Sequence, residues 1–129
     1  MSLKVAIFED DKDVADLLKE MMERKDYVVT NFYSLKDAAW KECDVVLGDY
    51  RNHIVSFKSL EKECLRDSIP LIAISGEETQ YLPQLIKPFA IEELQSVILD
   101  QLMKSRKRLG KKEEGKDQGF FSSFFKKSS

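Results

Sequence analysis

Residues 4–22 read KVAIFEDDKDVADLLKEMM, and two different periodicities meet inside them. Lys4–Phe8 is a short apolar run of the kind that makes a buried strand, whereas Val14, Leu17, Leu18, Met21 and Met22 recur at the spacing of one helical face. Three consecutive acids, Glu9, Asp10 and Asp11, stand between them. A strand that hands over to a helix through a polar turn is the repeating unit of a parallel α/β sheet.

The same alternation continues outward. Tyr27–Phe32 predicts a second strand, and Ser34 followed by Asp37 resembles a capping box that starts a short helix through Trp40. Val45-Val46-Leu47 predicts a third strand, with Asp49 delivered just past its carboxyl end after Gly48. Phe57, Leu60, Cys64 and Leu65 mark another helical face, Ile69–Ile74 a fourth strand ending at Ser75, and Leu85-Ile86 a very short fifth strand before Lys87-Pro88. Ile91, Leu94, Val97, Ile98 and Leu102 complete a last amphipathic helix.

A chain of 129 residues with 43% hydrophobic content builds one core and not two. Beyond Met103 the composition turns to KSRKRLGKKEEGKDQG, too polar to form a core, so residues 104–119 are expected to be a flexible charged linker after a domain spanning 1–103. Residues 1–103 hold 12 Lys/Arg against 20 Asp/Glu and residues 104–129 hold 9 against 3, which makes an acidic body and a basic tail. No run of apolar residues is long enough for a membrane span, and Met1-Ser2-Leu3-Lys4 leads directly into a strand, so a cytoplasmic protein is expected. Cys43 and Cys64 lack a CxxC spacing and read as small core residues. His53, in a loop, reads as a surface or packing residue, and Trp40 and Tyr81 as packing residues. Neither a recognition helix for DNA nor a glycine-rich phosphate loop is visible, so no nucleic-acid partner is expected.

In a parallel sheet the carboxyl ends of the strands share one edge, which gathers Glu9 and Asp10, Asp49, Ser75 and Lys87. Read alone, Glu9–Asp11 also fits a solvated charge run at a helix N-terminus, and Asp49 a turn residue. Together, three carboxylates repel by roughly 4 kcal/mol per pair at about 4 Å and an effective dielectric near 20, and they call for a cation. Oxygen ligands of this kind suit Mg²⁺ or Mn²⁺. A metal-bridged Asp49 makes chemical sense as a nucleophile toward a phosphoryl group whose other oxygens Lys87 and the Ser75 hydroxyl can hold.

IFEDD (7–11), VVLGDY (45–50), IAISG (72–76) and LIKPF (85–89) resemble, in order, the acidic pair, acceptor aspartate, switch hydroxyl and Lys-Pro motifs of response-regulator receiver domains. The resemblance covers residues 3–103. It implies a flavodoxin-like (CheY-like) doubly wound five-stranded parallel sheet, and a stand-alone, non-enzymatic receiver for two-component signalling. Asp49 would be phosphorylated by a histidine kinase or phosphotransfer protein. Asp10 would ligate Mg²⁺ directly and Glu9 through water, the Arg51 carbonyl would complete the shell, and Lys87-Pro88 would be cis. Arg51 and Glu77 would flank the path of the water that attacks the aspartyl phosphate, and their opposite charges predict a pair across the site.

The departures from that family are specific. From Ser75 to Lys87 there are only 12 steps, so the fourth helix is expected to be missing or much reduced, with Pro83 breaking EETQYLPQ. The family's aromatic switch position is Gln84, and its Pro and Gly after the acceptor are His53 and Phe57. A pseudo-receiver that signals without phosphorylation is the rival reading. A phosphatase of the haloacid-dehalogenase type also uses Asp, Ser/Thr, Lys and Mg²⁺, but its DxDx(T/V) loop fails here because Asp11-Lys12-Asp13-Val14 is followed by Ala15.

Phe120–Phe125, FFSSFF, places four of the chain's 8 phenylalanines together, ahead of Lys126-Lys127. Such an apolar cluster calls for a cover. Residues 120–129 are expected to dock on a protein target through a groove. An anionic membrane surface is the less favoured alternative, and a fold-back of Phe124 and Phe125 onto the gap left by the fourth helix is another.

Overall fold

The computed structural model describes residues 2–112 of the chain. Five parallel strands, β1 (Lys4–Phe8), β2 (Val28–Asn31), β3 (Val45–Asp49), β4 (Leu71–Ser75) and β5 (Gln84–Ile86), lie in the order β2-β1-β3-β4-β5. Helices α1 (Lys12–Glu23), α2 (Phe57–Arg66) and α3 (Ile91–Lys112) connect or flank them. This is the doubly wound architecture expected of the sequence, with the reversal of strand order falling between β1 and β3.

The two faces of the sheet follow from the pleat, which sends alternate side chains to opposite sides. Val5, Ile7, Val45, Leu47, Ile72, Ile74 and Leu85 meet Leu18 and Met22 of α1 and Leu94, Ile98 and Leu102 of α3. Ala6, Phe8, Val46, Leu71 and Ala73 face the other way, against Phe57, Leu60 and Cys64 of α2 and the buried Trp40. Trp40 sits edge-on to Phe8 and donates its indole N–H to the Leu35 carbonyl at 3.1 Å. Gly48 eases the close approach of α2 on this face: a Cβ there would lie 2.8 Å from Leu60 Cδ2 and 3.3 Å from Phe57 Cε1, and those side-chain ends would have to shift.

Several expectations about local structure are corrected. Leu17 on α1 and Leu65 on α2 fit the helical spacing, yet they are 59% and 70% exposed. Ala15, which the pattern did not include, is buried on α1 with Leu18 and Met22. The short helix after β2 is a 3-10 helix over Ala38–Glu42 capped by Asp37, whose carboxylate accepts from the Ala39 N–H at 3.2 Å; Ser34 does not cap it. The last helix does not stop at Met103: α3 continues through residues 104–112, the first part of the segment expected to be a flexible linker. That stretch has no proline and is rich in Lys and Arg, residue types that favour helix. Residues 113–119 and the tail 120–129 lie outside the described residues.

No helix joins β4 to β5. Residues 76–83 form a loop instead, and Gln84 ties it down. The Gln84 Oε1 accepts from the Thr79 N–H at 2.8 Å and from the Thr79 hydroxyl at 2.9 Å, while its amide donates to the Thr79 carbonyl. Tyr81 packs edge-on to Phe57 and its hydroxyl donates to the Leu71 carbonyl at 3.4 Å. Leu82-Pro83 and Lys87-Pro88 are cis peptides, the second as the family resemblance implied.

Candidate functional site

Glu9 follows the last residue of β1, and Asp49 ends β3, so both are delivered to the carboxyl edge of the sheet where the strand order reverses. Asp10 begins the turn into α1. Oxygens of Glu9, Asp10 and Asp49 lie within 4.8 Å of one another, making a three-carboxylate cluster. Asp11, the third acid of the run, is used differently. It caps α1 by accepting from the Asp13 and Val14 N–H groups at 3.0 and 3.3 Å.

Burial makes the cluster costly. Glu9 is 1% exposed and Asp49 8%. The Lys87 ammonium lies 2.9 Å from Glu9 Oε1, and the Asp11 N–H donates to Glu9 Oε2 at 3.1 Å. Asn31 at the end of β2 clamps the Glu9 backbone from both sides, accepting its N–H and donating to its carbonyl, each at 3.2 Å. Asp49 has less compensation. Desolvation first, then the neighbouring Glu9 charge, pushes its carboxyl up to about 6, against some relief from Lys87 and from the Arg51 N–H that donates to it at 3.3 Å. Asp10 moves the other way: the His53 backbone N–H, 2.9 Å from Asp10 Oδ2, holds its carboxyl below the usual aspartate value.

A shallow cleft of about 370 Å³ is lined by Glu9, Asp10, Asp11, Asp49, Arg51, His53 and Lys87. His53 was not expected there; its contribution is a backbone N–H, which no side-chain pattern in the sequence announces. Asn31 was likewise missed, although an amide side chain at the carboxyl end of a strand is a usable sign. Ser75 stands at the carboxyl end of the adjacent β4, 1% exposed, where its Oγ accepts from the Glu77 N–H at 3.3 Å; it does not line the cleft. The Arg51 guanidinium and the Glu77 carboxylate form an ion pair, as their positions predicted.

The donor set fits a divalent cation of the Mg²⁺ or Mn²⁺ kind. It consists only of oxygens, its three carboxylates have one ammonium within reach, and burial first and the Glu9 charge second raise the Asp49 carboxyl, a cost that a cation would offset. Asp10, Asp49 and Glu9 are the residues positioned to hold such an ion.

No family model and no curated protein matches the chain. Solved structures do. A receiver domain of a Francisella response regulator aligns at a TM-score of 0.65 with 23% identity over 81% of this chain and 99% of its own. A signal receiver domain from Vibrio parahaemolyticus aligns at 0.67 with 17% identity over 89% of this chain and 99% of its own. The receiver domain of a sensor histidine kinase from Pseudomonas aeruginosa, which has a magnesium ion coordinated in its active site cleft, aligns at 0.68 with 20% identity over 80% and 99%. The chain has the fold of response-regulator receiver domains, with the helix between β4 and β5 absent.

Proposed function

We propose that the chain is a receiver module of two-component signalling that is phosphorylated on Asp49 and acts through protein contacts, in the cytoplasm and without a catalytic turnover of its own. The observation that carries this reading is the cluster of Glu9, Asp10 and Asp49 beside Lys87 at the edge where β1 and β3 diverge. The donor would be the phosphohistidine of a histidine kinase or phosphotransfer protein.

In the reaction an Asp49 carboxylate oxygen attacks phosphorus, an O–P bond forms, and the P–N bond to the donor imidazole breaks. The electron pair of that bond returns to the imidazole nitrogen. Asp49 must be ionised to attack, and its carboxyl at about 6 is already largely so at neutral pH. A bound Mg²⁺ would offset negative charge on the carboxylate and the incoming phosphoryl oxygens. By resemblance, Asp10 and Asp49 would touch it directly, Glu9 through water, and the Arg51 carbonyl would add a further oxygen. Lys87 is the cation available to a phosphoryl oxygen, and to serve it would turn from Glu9 Oε1. The Ser75 hydroxyl would have to turn into the cleft to reach a second oxygen.

Incubation with acetyl phosphate and Mg²⁺ tests the reading. The expected result is a mass gain of one phosphoryl group, lost in Asp49→Asn and weakened in Asp10→Asn. Gln84, held on Thr79 where the family has a mobile aromatic, favours the rival module that signals without phosphorylation. Absence of any gain supports that rival, and multiple-turnover hydrolysis of a phosphate ester would instead identify an enzyme.

A further inference from the structure

Where the fourth helix is missing, the sheet face beside α2 is left with two adjoining hollows that share Glu61 and Tyr81. The upper one, about 490 Å³, runs past Tyr50 and Phe57 and past the polar Asn52, Lys58 and Gln80. The lower one, about 200 Å³, is walled by Leu65, Ile69, Leu82 and Pro83 and reaches Gln101 on α3. Leu65 and Leu82 are 70% and 74% exposed, more than any other large hydrophobic side chain described. The Glu61 carboxylate, common to both hollows, has no ion pair among the described residues.

We propose that this trough is covered in cis by the chain's own Phe120-Phe121-Ser122-Ser123-Phe124-Phe125, with Lys126 and Lys127 set against Glu61. The sequence alone favours a partner protein for this tail; the trough supplies a receptor within the same chain. Three features select the tail as occupant. The first is chemistry: the trough sets Tyr50, Phe57, Leu65, Tyr81 and Leu82 among polar side chains that include Lys58, with the unpaired acid Glu61 common to both hollows, and the tail is four phenylalanines followed by two lysines. The second is reach. From Gln101 to Lys112 a helix rises about 16 Å, and residues 113–119 have a contour length of about 24 Å, so Phe120 can return to the level of Gln101 where the trough begins. The third is charge, since a basic segment that leaves an acidic body is attracted back to it. The proposal is independent of phosphorylation at Asp49.

Methyl NMR on the full chain tests it, against a full-length variant carrying Phe120→Ser, Phe121→Ser, Phe124→Ser and Phe125→Ser. These substitutions lie outside the described residues. In the unmodified chain the Leu65 and Leu82 methyl resonances should carry ring-current shifts that vanish in the variant. Glu61→Lys should lower the docked fraction by about two- to fivefold, the size of a rim ion pair, and Lys126→Glu with Lys127→Glu in that background should restore it. Identical Leu65 and Leu82 methyl positions in the two chains overturn the proposal and leave the tail to a partner. Shifts that fade on dilution as a dimer mass falls to a monomer mass overturn it in favour of exchange between two copies.

Discussion

Lys87 and Glu9 stand 78 residues apart in sequence, and the Lys87 Nζ rests 2.9 Å from Glu9 Oε1. This contact ties β5 to the end of β1 across β3 and β4, and it neutralises a carboxylate that is 1% exposed. Lys87→Met should therefore destabilise the metal-free protein by about 2–4 kcal/mol, because it strands a buried charge rather than merely deleting a contact. Adding Glu9→Gln should return most of that loss. Urea denaturation of the two variants measures it, and equal midpoints for the single and double variants would refute the pairing as the source.

The acidity of Asp49 predicts a pH dependence of Mg²⁺ binding. Its folded value of about 6 lies above the ordinary 3.8, so the fold holds this proton more tightly than the unfolded chain does. The resulting stability is fully present below about pH 4 and is lost as pH rises through 6, a change on the order of 2–3 kcal/mol for this one group. A cation competes for the same oxygens. Mg²⁺ should raise the melting temperature clearly at pH 7.5 and hardly at pH 5, and Asp49→Asn should remove most of that difference. A gain from Mg²⁺ that does not vary with pH would rule Asp49 out as a ligand.

Arg51 and Glu77 form their ion pair from exposed positions on the loops after β3 and β4, and Arg51 also lines the cleft. An exposed pair adds little stability. Its effect would be kinetic, shielding an aspartyl phosphate from water and giving it a long lifetime. Arg51→Ala should shorten the half-life of the phosphorylated protein several-fold while changing the melting temperature by less than about 2 °C. An unchanged half-life would remove the pair from the account of persistence.

Ser68 follows α2 with a φ of 56°, and the Ile69 N–H beyond it closes back on the Cys64 carbonyl at 2.9 Å. That is the left-handed helix terminus at which glycine is preferred. Ser68→Gly should raise stability by about 0.5–1 kcal/mol, since relief of the left-handed strain outweighs the added freedom of the unfolded chain. Thermal unfolding reads the difference, and a lowered midpoint would contradict it.

The strands were legible because their signal is short and local. Val5 to Phe8, Val45 to Leu47 and Ile72 to Ile74 are apolar without interruption, and a sheet buried on both faces demands that. The acids at their ends followed from topology. Helix faces were less legible: Leu17 and Leu65 fit the spacing yet each side chain is left outside, Leu65 beside the hollow where no helix joins β4 to β5. The cap of the 3-10 helix passed from Ser34 to Asp37, as competing caps three residues apart look alike in sequence. His53 entered the site through its backbone, which carries no residue-type signal. The extent of α3 was obscured because hydrophobic periodicity fades beyond Leu102 while helix propensity does not.

The absence of a helix between β4 and β5 has a consequence for which amides open first. β5 is a three-residue edge strand with a single neighbour, anchored mainly by Leu85 on the α3 side. Segments with so few buried contacts unfold locally at a fraction of the global free energy. The amides of residues 84–87 should accordingly exchange with deuterium far faster than those of Val45–Asp49 in the middle of the sheet. Each such excursion carries Lys87 away from Glu9, so the acidic cleft is complete only for as long as this edge stays closed.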